Sequence, residues 1–330
     1  MTSLLQQISP RAFAELPSFA GFAVSGADAS AFLHNQLTND VNQLQWPTFQ
    51  RTGYCTPKGR LLAVMLQWKD STGAIHHLIP RELLESSTKR LKMFVLRSKA
   101  VFTTAEESPA VFGLWGDFPL GLSVGAAEKT PEGVLLRAED CPVLGPRAWL
   151  IVPQPEANAM SASLRKLPKI HATDEGAWQF SEIQCGLPWV FDQTKESFVP
   201  QMINLELVNG VSFTKGCYPG QEVVARSQYL GKLKRRMFRA DVVRELPGQH
   251  ESELALLGTD IWSGADSSQP CGQVVNAASG FNHSFERQPA VSLLIECTQD
   301  AWAAADLRLG KIDGDRLSVK ALPYSFPAAA

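Results

Sequence analysis

Residues 215–222 read Lys-Gly-Cys-Tyr-Pro-Gly-Gln-Glu, a run that places an ammonium, a thiol, a phenol and a carboxylate within eight positions. Gly216 and Gly220 permit backbone angles that a Cβ disfavours, and Pro219 fixes one φ and removes a donor, so the run predicts a shaped loop. Behind it, Gln221-Glu222-Val223-Val224-Ala225-Arg226 favours a helix with its acid in the first turn and a base further on. Cys217 then lies near a helix N-terminus, with Lys215 two residues away. Both features favour thiolate over thiol, which makes Cys217 a candidate reactive cysteine with Lys215 biasing its ionisation. Glu222 has two open roles, accepting backbone N–H groups or orienting Lys215. Residue types alone also fit a plainer reading, a small buried cysteine in a loop that turns the chain.

Other reactive residue types are scattered. Six cysteines, at 55, 141, 185, 217, 271 and 297, include no Cys-x-x-Cys. That spacing suits reduced cytosolic thiols and offers no local motif for a metal or a cluster. His76 and His77 are adjacent and so face opposite sides of a strand, which prevents joint chelation. His34, His171, His250 and His283 stand alone; surface histidines are expected and a metal site is not. Lys232, Lys234, Arg235, Arg236 and Arg239 form the densest basic run. Such a run is ordinarily a solvated face or strand edge, although it also suits a polyglutamyl tail or RNA phosphates. Lys58 and Arg60 pose the same choice on a shorter scale.

The elements that must position these residues follow from patterning. Residues 19–25 predict a strand, and Asp28 caps a helix carrying Ala29, Phe32, Leu33 and Leu37. Residues 61–68 and 74–80 flank Lys69-Asp70-Ser71-Thr72-Gly73 as a hairpin. A helix over 81–97 presents Leu84, Leu91, Phe94 and Val95 on one side. Strands at 110–115, 133–138 and 147–152 precede a helix near 155–166. Thr173-Asp174 opens another helix that stops at Gly186, with Pro188 beyond. After about 235, short apolar runs at 236–243, 254–262, 271–276, 289–297, 305–309 and 315–321 alternate with turn residues. No helix is expected there, and the tail reads as a small β-barrel or sandwich.

At 330 residues, 45% hydrophobic and a net charge of −2, the chain can bury a large core and has no overall basic coat for nucleic acid. Its longest aliphatic run, residues 61–66, is too short for a bilayer, and no signal peptide is recognisable. A cytoplasmic location without membrane partners is expected.

The octapeptide resembles the K-G-C-Y-x-G-Q-E signature of the YgfZ family of folate-binding proteins. That family includes bacterial tRNA-modification factors and mitochondrial iron–sulfur assembly factors, and is similar in fold to the glycine-cleavage aminomethyltransferase. The likeness extends to Gly26-Ala27-Asp28, Gln36-Leu37-Thr38-Asn39-Asp40-Val41, Lys58-Gly59-Arg60, Phe198-Val199-Pro200-Gln201, Asn204-Leu205, Gly210-Val211-Ser212-Phe213 and Leu322-Pro323-Tyr324-Ser325. It implies an α+β region of paired ferredoxin-like units over 1–235, in subdomains of about 1–110 and 111–235, then a C-terminal antiparallel β-barrel over 236–330, around a central hole. It also implies tetrahydrofolate or a one-carbon derivative as ligand, with Phe19 and Trp178 as aromatic walls. The family often has tryptophan at the first of these positions. Cys217 would be the functional thiol, in a loop shaped by Gly216, Tyr218, Gly220, Gln221 and Glu222. The implied partners are iron–sulfur enzymes, including those that thiolate tRNA. Aminomethyltransferases carry an acidic pair where this chain has Ala63 and Val64, and neither can exchange a proton. One-carbon transfer to an amine and direct RNA binding remain as alternative functions.

Overall fold

A computed structural model describes residues 11–103, 108–118, 120–229, 233–244, 253–265, 268–281 and 289–326. The chain begins with β1 (Arg11–Glu15), β2 (Phe19–Ser25), α1 (Ala29–His34), β3 (Phe49–Cys55), β4 (Leu61–Lys69), β5 (Ile75–Pro80), α2 (Arg81–Lys92) and β6 (Val101–Phe102). It continues through β7 (Ala110–Gly116), β8 (Ala127–Lys129), β9 (Val134–Cys141), β10 (Gly145–Val152), α3 (Ala157–Arg165), β11 (Ile170–Thr173) and α4 (Glu175–Gln184). After a long irregular stretch come α5 (Gln221–Tyr229), β12 (Arg235–Val243), β13 (Asp260–Ser263), β14 (Gly272–Phe281) and β15 (Pro289–Thr298). The last elements are α6 (Gln299–Ala304), β16 (Leu307–Leu309) and β17 (Ser318–Lys320).

These strands make three sheets, in the orders β3-β4-β5-β2-β6, β11-β1-β7-β10-β9-β8 and β16-β13-β14-β15-β12-β17. Among the described residues pairing is antiparallel except between β1 and β11. The mixed α+β class is as expected. Among the described residues the C-terminal sheet is curled into a half-barrel with β16 and β17 at its ends, where a barrel was expected. One apolar core runs through all three sheets: Leu61 to Leu66 of β4 are buried on both faces, and the same cluster takes in Trp149 of β10 and Ile295 of β15. Helix α4 packs between the second and third sheets, against β1, β9, β14 and β15. Among the described residues no helix is long and apolar enough to cross a membrane.

Several local expectations change. Asp28 precedes α1, but its side chain makes no cap; its Oδ2 accepts from the Lys99 amide at 2.7 Å and ties two loops together. Asp174 does cap α4, accepting from the Ala177 amide, and Gly186 ends that helix with φ +66°. Helix α2 stops at Lys92, and the chain proceeds in tight turns to Ser98, with Leu96 left-handed at φ +46°. Phe94, expected on the buried side, is therefore exposed. The tail contains a helix after all, α6, whose N-terminus is capped by Thr298. The expectation for the histidines also fails at His77. β5 lies inside its sheet, so His77 is fully buried and stacks on Phe22 at 4.6 Å. His250 and His283 lie outside the described residues.

Candidate functional site

The Cys217 loop is assembled from segments far apart in sequence. Lys215 is buried, and its Nζ donates to the carbonyls of His34 and, at 2.8 Å, Leu37, closing the C-terminal end of α1. The same ammonium lies 4.7 Å from the centre of the buried Tyr218 ring. Burial pulls Lys215 down to about 8, against opposing pulls from Asp40 and Cys217. Lys215 is thus first an anchor for the loop. Its partners are carbonyls, and Glu222 does not orient it: that carboxylate is exposed in the first turn of α5 and makes no hydrogen bond among the described residues. Gln221 continues the chain from Tyr218, whose carbonyl accepts from its amide at 3.1 Å.

Gly220 is where the loop has no room for a side chain. Its φ is +85°, and a Cβ there would stand 2.5 Å from the Thr56 carbonyl oxygen and 2.6 Å from the Gly59 backbone. The Lys58-Gly59-Arg60 turn is therefore the floor under the loop, with Lys58 and Arg60 exposed beside it and Arg60 donating to the Ser197 carbonyl. Thr38 Oγ1 donates to the Gly210 carbonyl at 2.7 Å, and the Ser212 amide donates to the Thr38 carbonyl at 3.0 Å. Gln201 Nε2 donates to the Val224 carbonyl at 2.6 Å and fixes α5. Gly216 lies against the ring of His34, whose Nδ1 is 3.2 Å from Asp40. Sequence spacing left His34 isolated; the fold brings it to the loop. Cys217 itself is exposed, alone among the six cysteines.

Phe19 and Trp178 share a second region, fully buried. Phe19 meets Trp149 and Trp189 edge-on at 5.0 and 4.8 Å, and Trp149 meets Trp178 at 4.6 Å. Trp178 lies so close over Gly113 that a Cβ there would be 2.3 Å from its ring. Charged groups join these rings. Arg147 Nη1 donates to Glu182 at 2.6 Å and Trp189 Nε1 to the other oxygen at 2.7 Å. Arg51 stands 3.7 Å from Glu182, with its guanidinium 5.0 Å from the Trp189 ring centre. Among the described residues its Nε and Nη1, and Trp178 Nε1, are buried without acceptors. Arg51, Trp149, Glu182 and Trp189 were not expected as site residues.

The basic run at the start of the third sheet is largely spent internally. Arg235 pairs with Glu296 at 2.9 Å, Arg236 pairs with Glu206, and Arg239 donates to Gln184 at 2.6 Å. Lys234 is exposed, and Lys232 lies outside the described residues. Among the described residues, no group of three or more His, Cys, Asp or Glu side chains comes together as metal ligands.

The arrangement of sheets matches a crystal structure of glycine cleavage system aminomethyltransferase T from Bartonella henselae. The TM-score is 0.73 at 15% identity, over 95% of this chain and 86% of that one. The fold is therefore that of the T protein. Within it, the chain is 32% identical over 260 residues to the tRNA-modifying protein YgfZ of Colwellia psychrerythraea, covering 75% of this chain and 76% of the relative. Against the tRNA-modifying protein YgfZ of Edwardsiella ictaluri, identity is 29% over 335 residues, covering 96% and 93%. The chain belongs to the YgfZ family. No family model matches it.

Proposed function

We propose that this protein binds tetrahydrofolate, or a one-carbon derivative of it, and supports iron–sulfur enzymes, including those that modify tRNA. Kinship with relatives named as tRNA-modifying proteins supports the second half of that reading. The folate half is carried by buried donors that lack acceptors among the described residues, two on Arg51 and one on Trp178, among the rings of Phe19, Trp149 and Trp189. A buried donor left unpaired costs about 1–3 kcal/mol, more when charged. Folates carry ring carbonyls, ring nitrogens and carboxylates that can accept such bonds, on a flat body that aromatic walls suit. When bound, the folate supplies a carrier for one-carbon units. Arg51 and Trp178 would orient it by donation, and Phe19 would exclude water.

The other half of the site is the exposed thiol of Cys217, held in place by Lys215, Gly216, Tyr218 and Gly220 and open to a client protein. Amine-directed one-carbon transfer is the less favoured reading, because Ala63 and Val64 are buried apolar residues of β4 and can move no proton.

Titration of the purified protein with tetrahydrofolate, read by tryptophan fluorescence and by thermal melting, tests this reading. Fluorescence should fall, and ligand at a hundredfold excess over Kd should stabilise by about 2.7 kcal/mol. Trp178→Phe and Arg51→Met should fold and bind more weakly, Arg51→Met by roughly tenfold or more. Trp178→Ala is a poorer probe, since emptying a buried tryptophan site costs about 3–5 kcal/mol in stability alone. Unmoved fluorescence and melting at millimolar ligand would remove folate from the account.

A further inference from the structure

The end of α2 presents a face that neither the Cys217 loop nor the buried rings use. Residues 86–105 contain five cations, Lys89, Arg90, Lys92, Arg97 and Lys99, and no aspartate or glutamate. None of the five pairs with a carboxylate among the described residues. All are exposed except Arg90, which is half-buried. Large apolar side chains are interleaved with them and face solvent: Met93 is 60% exposed, Phe94 43%, Leu96 87% and Val101 65%. The Arg90 guanidinium lies 5.9 Å from the Phe94 ring centre, and the Lys92 ammonium 5.7 Å from that of Phe102. Beside them a cleft of about 280 Å³ opens between α2 and β2, with Phe22 lining it and Lys89, Lys92 and the carboxylate of Glu85 also in its wall.

We propose that this face binds RNA, in a single-stranded or looped segment. Unpaired cations neutralise phosphates and release their counterions, while bases stack on exposed aromatic and cationic groups, a combination typical of single-strand binding. An acidic protein partner fits less well. Protein interfaces concentrate apolar residues in a lysine-poor core with a polar rim, whereas here lysine, arginine and apolar residues alternate along the chain. The contrast with the basic run of β12 is direct, because those arginines are already committed to Glu296, Glu206 and Gln184. The choice of RNA over single-stranded DNA rests on the tRNA-related reading proposed above.

The test uses the full-length protein without folate, so that its outcome is separate from that of the folate titration. A fluorescein-labelled tRNA transcript is titrated by anisotropy between 50 and 200 mM salt. Four phosphate contacts, by the exposed Lys89, Lys92, Arg97 and Lys99, at about 0.7 each predict a slope of log K against log[salt] of about −2.8, which is roughly a fiftyfold loss over that range. Replacing Lys89, Lys92, Arg97 and Lys99 together by Glu should weaken binding at least tenfold and flatten the slope. The same four changed to Gln should show the intermediate effect. Phe94→Ala should weaken binding about fivefold or more with the slope retained. Lys234→Glu, in the other basic run, should change little. The proposal is overturned by three outcomes: no tRNA binding at 50 mM salt, binding that the Glu and Gln sets leave intact, or equal loss from Lys234→Glu. Stronger charge-dependent binding to single-stranded DNA or to phosphatidylserine vesicles than to tRNA would also overturn it.

Discussion

Cys217 is the only one of six cysteines that is exposed, while Cys55, Cys141, Cys185 and Cys297 are buried and Cys271 is half-buried. Burial also pushes the Cys55 thiol up to about 12, which removes its nucleophilic form at neutral pH. Iodoacetamide at pH 7 should therefore label the native protein at Cys217 first, as read by peptide mass spectrometry. Earlier labelling of Cys271 would assign the reactive thiol elsewhere. Cys217→Ser and Cys217→Ala should change stability by less than about 0.5 kcal/mol, since the side chain is exposed. Both should keep folate binding and lower iron–sulfur enzyme activity in cells. Full complementation of a deletion strain by both would make the thiol dispensable. This loop was legible in the sequence, because its glycines, proline and cysteine are contiguous. The ring-and-arginine region was not. Arg51, Trp149, Glu182 and Trp189 sit on separate elements, and nothing in Phe49-Gln50-Arg51-Thr52 marks Arg51 as a buried cation short of acceptors.

At the scale of elements, β5 shows what periodicity misses. Adjacent His76 and His77 were rightly placed on opposite faces, but only the position of β5 between β4 and β2 buries one of them completely. Burial first, and the neighbouring His76 second, push His77 down to about 3 from an ordinary 6.5. A histidine held neutral in the fold binds fewer protons than in the unfolded chain between those two values. Stability from this source is complete above about pH 6.5 and falls progressively as pH drops toward 3. His77→Leu should therefore lower the pH midpoint of acid unfolding, followed by circular dichroism, with little change at pH 8. An unchanged midpoint would mean that His77 does not drive acid sensitivity. The same limit of patterning explains α2. Phe94 and Val95 extend the apolar spacing of Leu84 and Leu91, so the sequence reads as one helix, yet the helix ends at Lys92 and Phe94, in the turns beyond it, is exposed. Strand β2, the hairpin of β4 and β5, and the capped helix α4 were legible, because a repeated period and a terminal signal agree at each.

For the whole molecule, Glu182 is the point where the sheets meet electrostatically. It projects from α4, which packs against the third sheet; it receives Arg147 from the second sheet and faces Arg51 from the first. All three side chains are buried, so Glu182 is the buried carboxylate that two guanidinium groups share, although Arg147 also lies 4.0 Å from the half-exposed Glu139. Taking charges out of water is costly, and removing one partner of a buried pair typically costs about 3–5 kcal/mol, because the other charge is left behind. Glu182→Gln retains the size of the side chain and removes the anion, so it should destabilise the protein by that order in guanidinium denaturation. Tryptophan fluorescence and far-ultraviolet circular dichroism should report the same shifted midpoint, since the acid lies in the core common to all sheets. Glu182→Leu combined with Arg147→Met removes a cation together with the anion and should recover part of the loss. If Glu182→Gln were neutral, the two arginines would be adequately solvated without it. The same result would mean that Arg51 has acceptors of its own, and the unpaired donors that argue for a folate would lose their force.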